Sequence, residues 1–381
     1  MTKFSGNIPS VKTPARQLRV LVAPLDWGLG HATRCIPVIY ELQKQCTDVW
    51  LAGEKAQEQL LRTEFPDLPF LPLQGYRVRY ASSASGLSLA LLSQAPGLWR
   101  SVLREKKWLA RMIEQHQFDI VISDNRFGLS HHSLPCIFIT HQLAISTSMG
   151  KWADRLAQRL NYRFIGKFNE CWVPDHRDEP SLAGLLSHPR VSPPIPVRYP
   201  GLLSRLIRAD LQPEPGTLFI SLSGPEPQRT IWENRIVDEI AHYQGRATIL
   251  RGLPGTGKHI PSTNDILFFN HLPSAEYGTK LEKAEWVICR SGYSTVMDLA
   301  RMGKKAVLVP TPGQPEQEYL ARHLSETGFA PFISQEEFSI TKALQAGQRF
   351  EYRQFDHSGS SLPELVTDLI GKAAMYQTDL G

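Results

Sequence analysis

Two turns in the last quarter of the chain carry the residues best suited to bind a ligand. An apolar run ends at Cys289 and is followed by the small-residue turn 290–292 and a helical pattern from Tyr293. A second apolar run, 306–309, precedes a loop and a helical pattern near Pro315. Such turns lie at the carboxyl ends of strands, where open α/β sheets bind ligands. The N–H groups and partial positive charge at each helix start would suit a diphosphate.

The two motifs at these turns resemble the nucleotide-sugar half of GT-B glycosyltransferases. Ser-Gly-x-Ser-Thr-Val-x-Asp-Leu starts at Ser291, and Pro-Glu-Gln-Glu-Tyr-Leu-Ala starts at Pro315. The nearest group includes the transferase that adds N-acetylglucosamine to the lipid-linked peptidoglycan precursor. The resemblance implies that Asp298 holds the donor ribose and that Gln317 and Glu318 contact the donor sugar; the family often has Gln at both of the latter positions. It also assigns to the donor side Arg290, Ser291, Gly292, Ser294 and Thr295.

A Gly-x-Gly-His-x-x-Arg motif runs from Gly28 through Gly30 to Arg34, after a predicted strand, Arg19–Pro24, and at the start of a predicted helix. Glycines there allow close backbone approach, and the motif resembles the first-domain glycine loop of the same group. A transfer needs a base for the acceptor hydroxyl and donors for the departing diphosphate. His31 could be the base, Arg34 could stabilise the diphosphate, and Asp26 could orient His31 or replace it. Alternatively, His31 caps the helix and Arg34 lies on its solvated face.

A second polar cluster follows two further strands. Asp124 and Asn125 come after one strand, and His141 comes after the next. Because neighbouring parallel strands end at one edge of a sheet, these residues would line the acceptor side, with Asp124 as the alternative general base. Their other possible role is the capping of turns. The adjacent histidines 131–132 have no carboxylate or cysteine at ligand spacing, so no metal site is predicted.

The second half of the chain contains two more candidate donor loops. Ser223 and Gly224 match the family's Gly-Gly-Ser loop beneath the donor phosphates. Two prolines in this loop remove N–H donors, and Arg229 could replace them with charge-assisted contacts. His271 follows a later strand, where family members hold the uridine base through the backbone. Its side chain therefore does not specify the base.

Strands that alternate with helices predict an α/β fold with two Rossmann-like domains facing each other across a cleft, as in GT-B proteins. Five prolines between 189 and 200 predict an extended linker between the domains. A last helix near 362–376 would cross back to the first domain, as the resemblance implies. The predicted parts are a leader (1–17), an acceptor-side domain (18–188), the linker (189–215), a nucleotide-sugar domain (216–350) and the C-terminal helix segment (351–381).

The composition fits a globular cytoplasmic protein. The chain has 381 residues, a formal charge of +5, and 42% hydrophobic and 21% charged residues. No long Lys/Arg block indicates nucleic-acid binding, five cysteines without CxxC pairing suggest reduced thiols, and no run of eighteen apolar residues predicts a membrane span. The stretch 86–107 is apolar with a basic end, which is typical either of a helix on an anionic membrane or of an ordinary core helix.

Together these patterns predict a glycosyltransferase that moves a sugar from a nucleotide-sugar donor, most simply a UDP-sugar, to a lipid or glycan acceptor. The resemblance implies an inverting, metal-independent displacement in which the nucleotide-sugar is a substrate and no cofactor is needed. Two alternatives remain open at this stage: a nucleotide-sugar hydrolase of the same superfamily, since the Gly-x-Gly-His-x-x-Arg motif also resembles those enzymes, and a nucleotide-sugar-binding protein without turnover.

Overall fold

The first half of the chain folds into a seven-stranded sheet. The structure, a computed structural model, describes residues 16–76, 87–145, 150–178, 180–224, 226–255, 257–353 and 359–378. The strands of this sheet are β1 Arg19–Pro24, β2 Asp48–Gly53, β3 Phe70–Pro72, β4 Ile120–Asp124, β5 Cys136–Ile139, β6 Glu170–Trp172 and β7 Val197–Arg198. They lie in the order β3-β2-β1-β4-β5-β6-β7, and every pair is parallel.

The second half folds into a five-stranded parallel sheet. Its strands are β8 Glu214–Ser221, β9 Arg246–Leu250, β10 Ile266–Phe269, β11 Ala284–Cys289 and β12 Ala306–Leu308. Their order is β10-β9-β8-β11-β12. Each sheet therefore has its first strand in the interior and reverses strand order beside it, and such a reversal opens a crevice at the carboxyl ends of the strands.

Ten α-helices are assigned within the described ranges. They are α1 Gly30–Lys44, α2 Lys55–Glu64, α3 Leu87–His116, α4 Lys151–Ile165, α5 Gln228–Ile240, α6 Ser274–Lys283, α7 Tyr293–Met302, α8 Pro315–Glu326, α9 Ile340–Arg349 and α10 Leu362–Thr378. No described helix is long and apolar enough to cross a membrane.

Alternation along β1 explains why helices cover both faces of the first sheet. Successive side chains in a strand point to opposite faces. Val20 and Val22 belong to one core cluster, together with Ile36 and Ile39 of α1. The intervening Leu21 and Ala23 belong to a second cluster, together with Leu109 of α3. The predicted α/β class with parallel sheets is confirmed.

The C-terminal helix α10 packs against the first domain. Its buried residues Val366 and Leu369 lie in the same core cluster as α1. Lys372 Nζ lies 2.5 Å from Glu170 Oε1 at the start of β6, and Thr367 Oγ1 donates to Gln45 Oε1 just after α1. The helix thus ties the end of the chain to the acceptor-side domain.

Two segments differ from the expectations. The predicted linker is not wholly irregular, because Val197–Arg198 forms edge strand β7, paired with β6. Proline is tolerated beside an edge strand, which has no second partner. Most of the predicted leader, 1–15, lies outside the described residues, but Arg16 makes an ion pair with Asp119 at 2.7 Å. That bond joins the end of the leader to the start of β4.

Candidate active site

Three neighbouring strands of the first sheet bring the acceptor-side residues together. Strands β1, β4 and β5 are adjacent in the sheet. Asp124 ends β4, His141 follows β5, and the glycine loop after β1 leads to His31 at the second position of α1. Since parallel strands end at the same edge, His31, Arg34, Asp124 and His141 form one contiguous cluster.

Asp124 is at the centre of this cluster. Its carboxylate, which is fully buried, accepts two bonds from Arg34, one from Nε at 2.5 Å and one from Nη2 at 2.6 Å. His31 Nδ1 lies 2.6 Å from Oδ1 of the same carboxylate. A bidentate guanidinium fixes the plane of a carboxylate, so Arg34 sets the direction in which Asp124 meets His31.

The tautomer of His31 follows from these contacts. Nδ1 also lies 2.8 Å from Arg34 Nη2, but that nitrogen has the nearer carboxylate oxygen as its acceptor. We therefore assign the proton to Nδ1, which donates to Asp124. Nε2 then carries the lone pair, and it has no hydrogen-bond partner in the part of the chain that the structure describes. A neutral imidazole of this tautomer can accept a proton at Nε2.

Charge and burial set the protonation states of His31 and Asp124. Burial and the neighbouring Arg34 charge lower the pKa of His31, and the opposing effect of Asp124 is smaller. Burial alone would raise the pKa of Asp124, but Arg34 and His31 outweigh it and bring the pKa to about 2. At neutral pH His31 is therefore a neutral base, and Asp124 is an ionised acceptor.

The other residues predicted on the acceptor side shape the loops. Asp26 Oδ1 accepts the Tyr76 N–H at 2.9 Å and packs against Gly75, so Asp26 holds the loop that contains these two residues. Gly28 and Asn125 adopt φ of 79° and 58°. A Cβ at Gly30 would lie 2.8 Å from Ser294 Oγ, which donates to the Gly30 carbonyl. Gly30 thus permits close approach of the second domain.

The predicted sugar-contact residues lie in the first turn of α8 and bond to the loop between β12 and α8. Gln317 Oε1 accepts the Thr311 N–H at 2.9 Å, and Ser291 Oγ donates to the Gln317 carbonyl at 2.7 Å. Glu318 Oε1 accepts the Gly313 N–H at 2.8 Å. The two turns of the donor motif are therefore bonded to each other, with Gln317 between them.

The start of α7 is the part of the donor side that is open to an anion. Gly292 is its N-cap residue and provides no side-chain cap. Ser294 and Thr295 are in the first turn, and both are partly exposed. The unsatisfied first-turn N–H groups and the helix dipole attract negative charge. Gly224, with φ of 111°, lies beside the loop between β12 and α8, where a Cβ on it would be 3.5 Å from Thr311 Oγ1. Ser223 beside it is partly exposed.

Asp298 is part of a buried polar group with unsatisfied neighbours. Its Oδ1 accepts the Ser204 hydroxyl at 2.6 Å. Burial raises its pKa to about 6, against the lowering effect of Arg205 and Ser204. Arg205 lies over the Tyr277 ring at 5.0 Å. Three buried nitrogens have no hydrogen-bond partner among the described residues: Nε and Nη1 of Arg205, and Nε2 of His271. Unpaired buried donors are costly, and a bound polar ligand could supply their acceptors.

Two arginines predicted to contact phosphate lie elsewhere. Arg290 is fully buried, lies 4.0 Å over the Trp232 ring and donates to the Val309 and Pro310 carbonyls. Burial lowers its pKa to about 9. Arg229 pairs with Glu226 at 2.7 Å and is also mostly buried. Both side chains turn back into the domain, and the phosphate contacts of Arg229 and Arg290 stay predictions. Arg205 is the cation whose charge acts on Asp298.

Sequence reasoning missed Arg205 and Glu316. Arg205 is in the predicted linker, where no motif marks it. Glu316 precedes Gln317 in the same motif, and its Oε1 lies 2.8 Å from His141 Nε2 across the domain interface. In the described ranges, no cluster of three His, Cys, Asp or Glu side chains has the arrangement of a metal site.

Comparison with known proteins identifies the second domain. Residues 269–361 match the glycosyltransferase family 28 C-terminal domain. The chain is 24% identical over 360 residues to the UDP-N-acetylglucosamine--N-acetylmuramyl-(pentapeptide) pyrophosphoryl-undecaprenol N-acetylglucosamine transferase of Pasteurella multocida, covering 92% of this chain and 94% of that protein. The protein of the same name from Glaesserella parasuis is 26% identical over 337 residues, covering 83% and 86%.

Solved structures identify the fold. The glycosyltransferase SnogD of Streptomyces nogalater superposes with a TM-score of 0.55 at 14% identity, covering 94% of this chain and all of that one. The spinosyn rhamnosyltransferase SpnG, complexed with thymidine diphosphate, superposes with a TM-score of 0.56 at 17% identity, covering 95% of each chain. The chain therefore has the GT-B fold, and part of its second half matches the glycosyltransferase family 28 C-terminal domain.

Proposed function

We propose that this protein transfers a sugar from a UDP-sugar to a hydroxyl group of a lipid-linked acceptor, with His31 as the general base. The observation that carries the proposal is the His31–Asp124–Arg34 cluster, because it holds a neutral imidazole at the edge of the first sheet, next to the donor loops of the second domain. The named relatives from Pasteurella and Glaesserella support this donor and acceptor class.

The proposed step is a direct displacement. Nε2 of His31 takes the proton of the acceptor hydroxyl, and that oxygen bonds to the anomeric carbon. The bond from this carbon to the diphosphate breaks, and the electron pair leaves with UDP. Attack opposite the leaving group inverts the anomeric centre. The N-terminus of α7 and the free donors of Arg205 would stabilise the diphosphate charge, so the proposed step requires no metal ion.

Thermal unfolding with nucleoside diphosphates tests the donor half of the proposal. We expect UDP to raise the unfolding temperature more than CDP, GDP or dTDP at the same high concentration. A ligand at about 100 times its dissociation constant adds about 2.7 kcal/mol. With two domains the transition need not be two-state, so only the rank order is compared. Equal responses to all four nucleotides, or none, would contradict a uridine site.

Asp298→Asn should raise the unfolding temperature of the free protein and abolish the further rise caused by UDP. Above pH 6 the folded protein contains a buried carboxylate, whereas below pH 4 the carboxyl is protonated in both states. The gap between 3.8 and the raised pKa of about 6 corresponds to about 3 kcal/mol of lost stability at pH 7. The variant should therefore unfold at a higher temperature without ligand, yet lose its response to UDP. Asp238→Asn, an exposed change on α5, is the control and should alter neither.

We also propose that a surface formed by α3 and α4 binds the membrane that holds the lipid-linked acceptor. Five side chains, which we call the apolar stripe, expose between 45% and 66% of their area: Trp99, Leu103, Trp152, Leu156 and Leu160. The two helices meet where the Trp99 ring packs 5.7 Å from Phe164. The predicted membrane stretch, 86–107, covers only the α3 part, and the side chains of 77–95 lie outside the described residues.

Basic residues border the apolar stripe. Arg155, Arg159 and Arg163 repeat along α4 at intervals of four and are exposed. A cavity of about 350 Å³ nearby is lined by Lys106, Ser130, His131, His132 and Lys167. An exposed apolar row with flanking cations is the pattern of a surface that docks on anionic lipid. It would bring the cleft close to a lipid-linked acceptor.

Replacing Trp152, Leu156 and Leu160 together by serine should detach the protein from vesicles of phosphatidylethanolamine and phosphatidylglycerol. Each buried apolar side chain contributes about 1.5–3 kcal/mol, so we expect a loss of binding of about 100-fold or more in a flotation assay. Ile207→Ser is the control, since Ile207 is 85% exposed but lies outside the stripe. Equal flotation of both variants would show that α4 does not meet the membrane.

A further inference from the structure

His141 belongs to the first domain, but the second domain holds its ring from two sides. The Tyr293 ring stacks on the imidazole with centroids 4.3 Å apart and an interplanar angle of 12°. Glu316 Oε1 lies 2.8 Å from its Nε2. Tyr293 begins α7 and Glu316 lies in the first turn of α8. The two candidate donor loops therefore each place one side chain on the same acceptor-side histidine.

The bonds continue from His141 to the general base. Arg34 Nη1 lies 2.9 Å from His141 Nδ1. A guanidinium only donates, so Nδ1 must be the acceptor and Nε2 must carry the proton that it donates to Glu316. Arg34 also donates to Asp124, and Asp124 accepts the proton of His31. A continuous path thus runs from Glu316 through His141, Arg34 and Asp124 to His31.

We propose that Glu316 and His141 are positioning residues that complete the general base only when the two domains close on the donor. This inference rests on the proposed function. With the domains apart, His141 loses both Glu316 and Tyr293, and one of the bonds that orient Arg34 no longer has a fixed acceptor. Closure fixes the tautomer of His141, which fixes the orientation of Arg34 and then that of Asp124. Deprotonation of the acceptor is then coupled to the presence of the donor, which would limit wasteful turnover.

The charges around His31 give the direction of the effect. His31 faces Arg34 on α1, Asp124 at the end of β4, and His141 and Glu316 beyond them, with Cys35 against Asp124. Burial alone would raise the pKa of Glu316, but His141, His31 and Arg34 lower it, so Glu316 is ionised. A negative charge favours the protonated form of His31. The charge of Glu316 therefore acts to raise the pKa of His31, against burial and Arg34, which lower it.

Glu316→Gln tests the coupling, because it removes the charge and keeps the size of the side chain. We expect kcat for sugar transfer to fall about tenfold, within the range of couplings between sites, and the acid limb of its pH profile to move to lower pH. Glu316→Asp should restore part of kcat. In a double-mutant cycle with His141→Asn, the two losses should not add, since both break the same path.

The second readout does not depend on turnover. Imidazole ¹⁵N shifts of the UDP-bound protein, assigned among the twelve histidines with His31→Ala and His141→Ala, report each tautomer and titration. Glu316→Gln should lower the titration point of His31 and mix the tautomers of His141. Glu326→Gln, the same change on the exposed end of α8, should match the wild type in both assays.

Failure of the proposed function and failure of the inference about Glu316 give different results. If the wild type transfers no sugar, the proposed function fails, and the ¹⁵N titration alone decides whether Glu316 acts on His31. If transfer proceeds, either an unshifted His31 titration or an unchanged kcat in Glu316→Gln overturns the inference. Either of these two results would mean that Glu316 only holds the domains together.

Discussion

Replacing His31 by alanine should lower kcat by about 10²–10⁴-fold, the contribution of a positioned general base. The loss should appear in kcat more than in the donor KM, because the proposed role of His31 is to take a proton from the acceptor. The wild-type kcat should also persist below pH 6.5. Burial and Arg34 lower the pKa of His31, so the imidazole remains neutral, and able to accept a proton, at a lower pH than an ordinary histidine.

Initial rates of UDP release between pH 5 and 9 measure both effects. His242→Ala is the control, because His242 is exposed just after α5 and should retain full activity. A loss of less than about tenfold in His31→Ala would remove His31 as the base. A wild-type acid limb above pH 6.5 would show that the imidazole is not the neutral group described here.

Asp124→Asn should be the most damaging single change in the first domain. An asparagine amide can donate to Nδ1 of His31, which moves the imidazole proton to Nε2 and leaves no lone pair for the acceptor. A wrong tautomer of this kind costs a histidine base about 10⁴-fold in kcat. The change also leaves Arg34 buried without its counter-charge, which costs about 3–5 kcal/mol. We therefore expect lost turnover together with a lower unfolding temperature.

The pH dependence of stability separates these effects. The pKa of Asp124 is about 2 in the folded protein, below its ordinary value of 3.8. Its stabilisation, about 2 kcal/mol, is therefore present above pH 4 and is lost as the pH falls towards 2. The stability of Asp124→Asn should not show this fall between pH 4 and pH 2. Asp48→Asn removes a partly exposed ion pair with Arg19 and should cost about 1 kcal/mol or less. Equal stability of the two variants would contradict a buried pair at Asp124.

Periodicity and motif order predicted much of the fold. The strand Arg19–Pro24 was predicted with its observed bounds, and Gly28 to Arg34 was correctly placed at a strand-to-helix turn. Both are local: an apolar run, a glycine turn and a helical repeat lie within a few residues of each other. The short strands Phe70–Pro72 and Val197–Arg198 were missed, because only their pairing with a neighbouring strand identifies them as strands.

The site depends on distant contacts that local patterns cannot show. His31 and Asp124 were each predicted as candidate bases, but their direct bond joins residues 93 positions apart. Arg290 was assigned to the donor side from the resemblance, and its side chain folds back onto Trp232. Arg34 was predicted either to stabilise the diphosphate or to lie on a solvated face, and the structure shows it buried and bonded to Asp124. Glu316 could be found only from the packing of one domain against the other.

The most direct test of the central claim is a product assay. Purified protein is incubated with a panel of UDP-sugars and a bacterial lipid extract, and mass spectrometry follows UDP, free sugar and lipid products, with His31→Ala in parallel. We predict that UDP forms together with a lipid product heavier by one sugar residue, and only with the wild type. Free sugar without added lipid would indicate a hydrolase. Binding of UDP-sugar with no product would indicate a protein without turnover, and either result would contradict the proposed transfer.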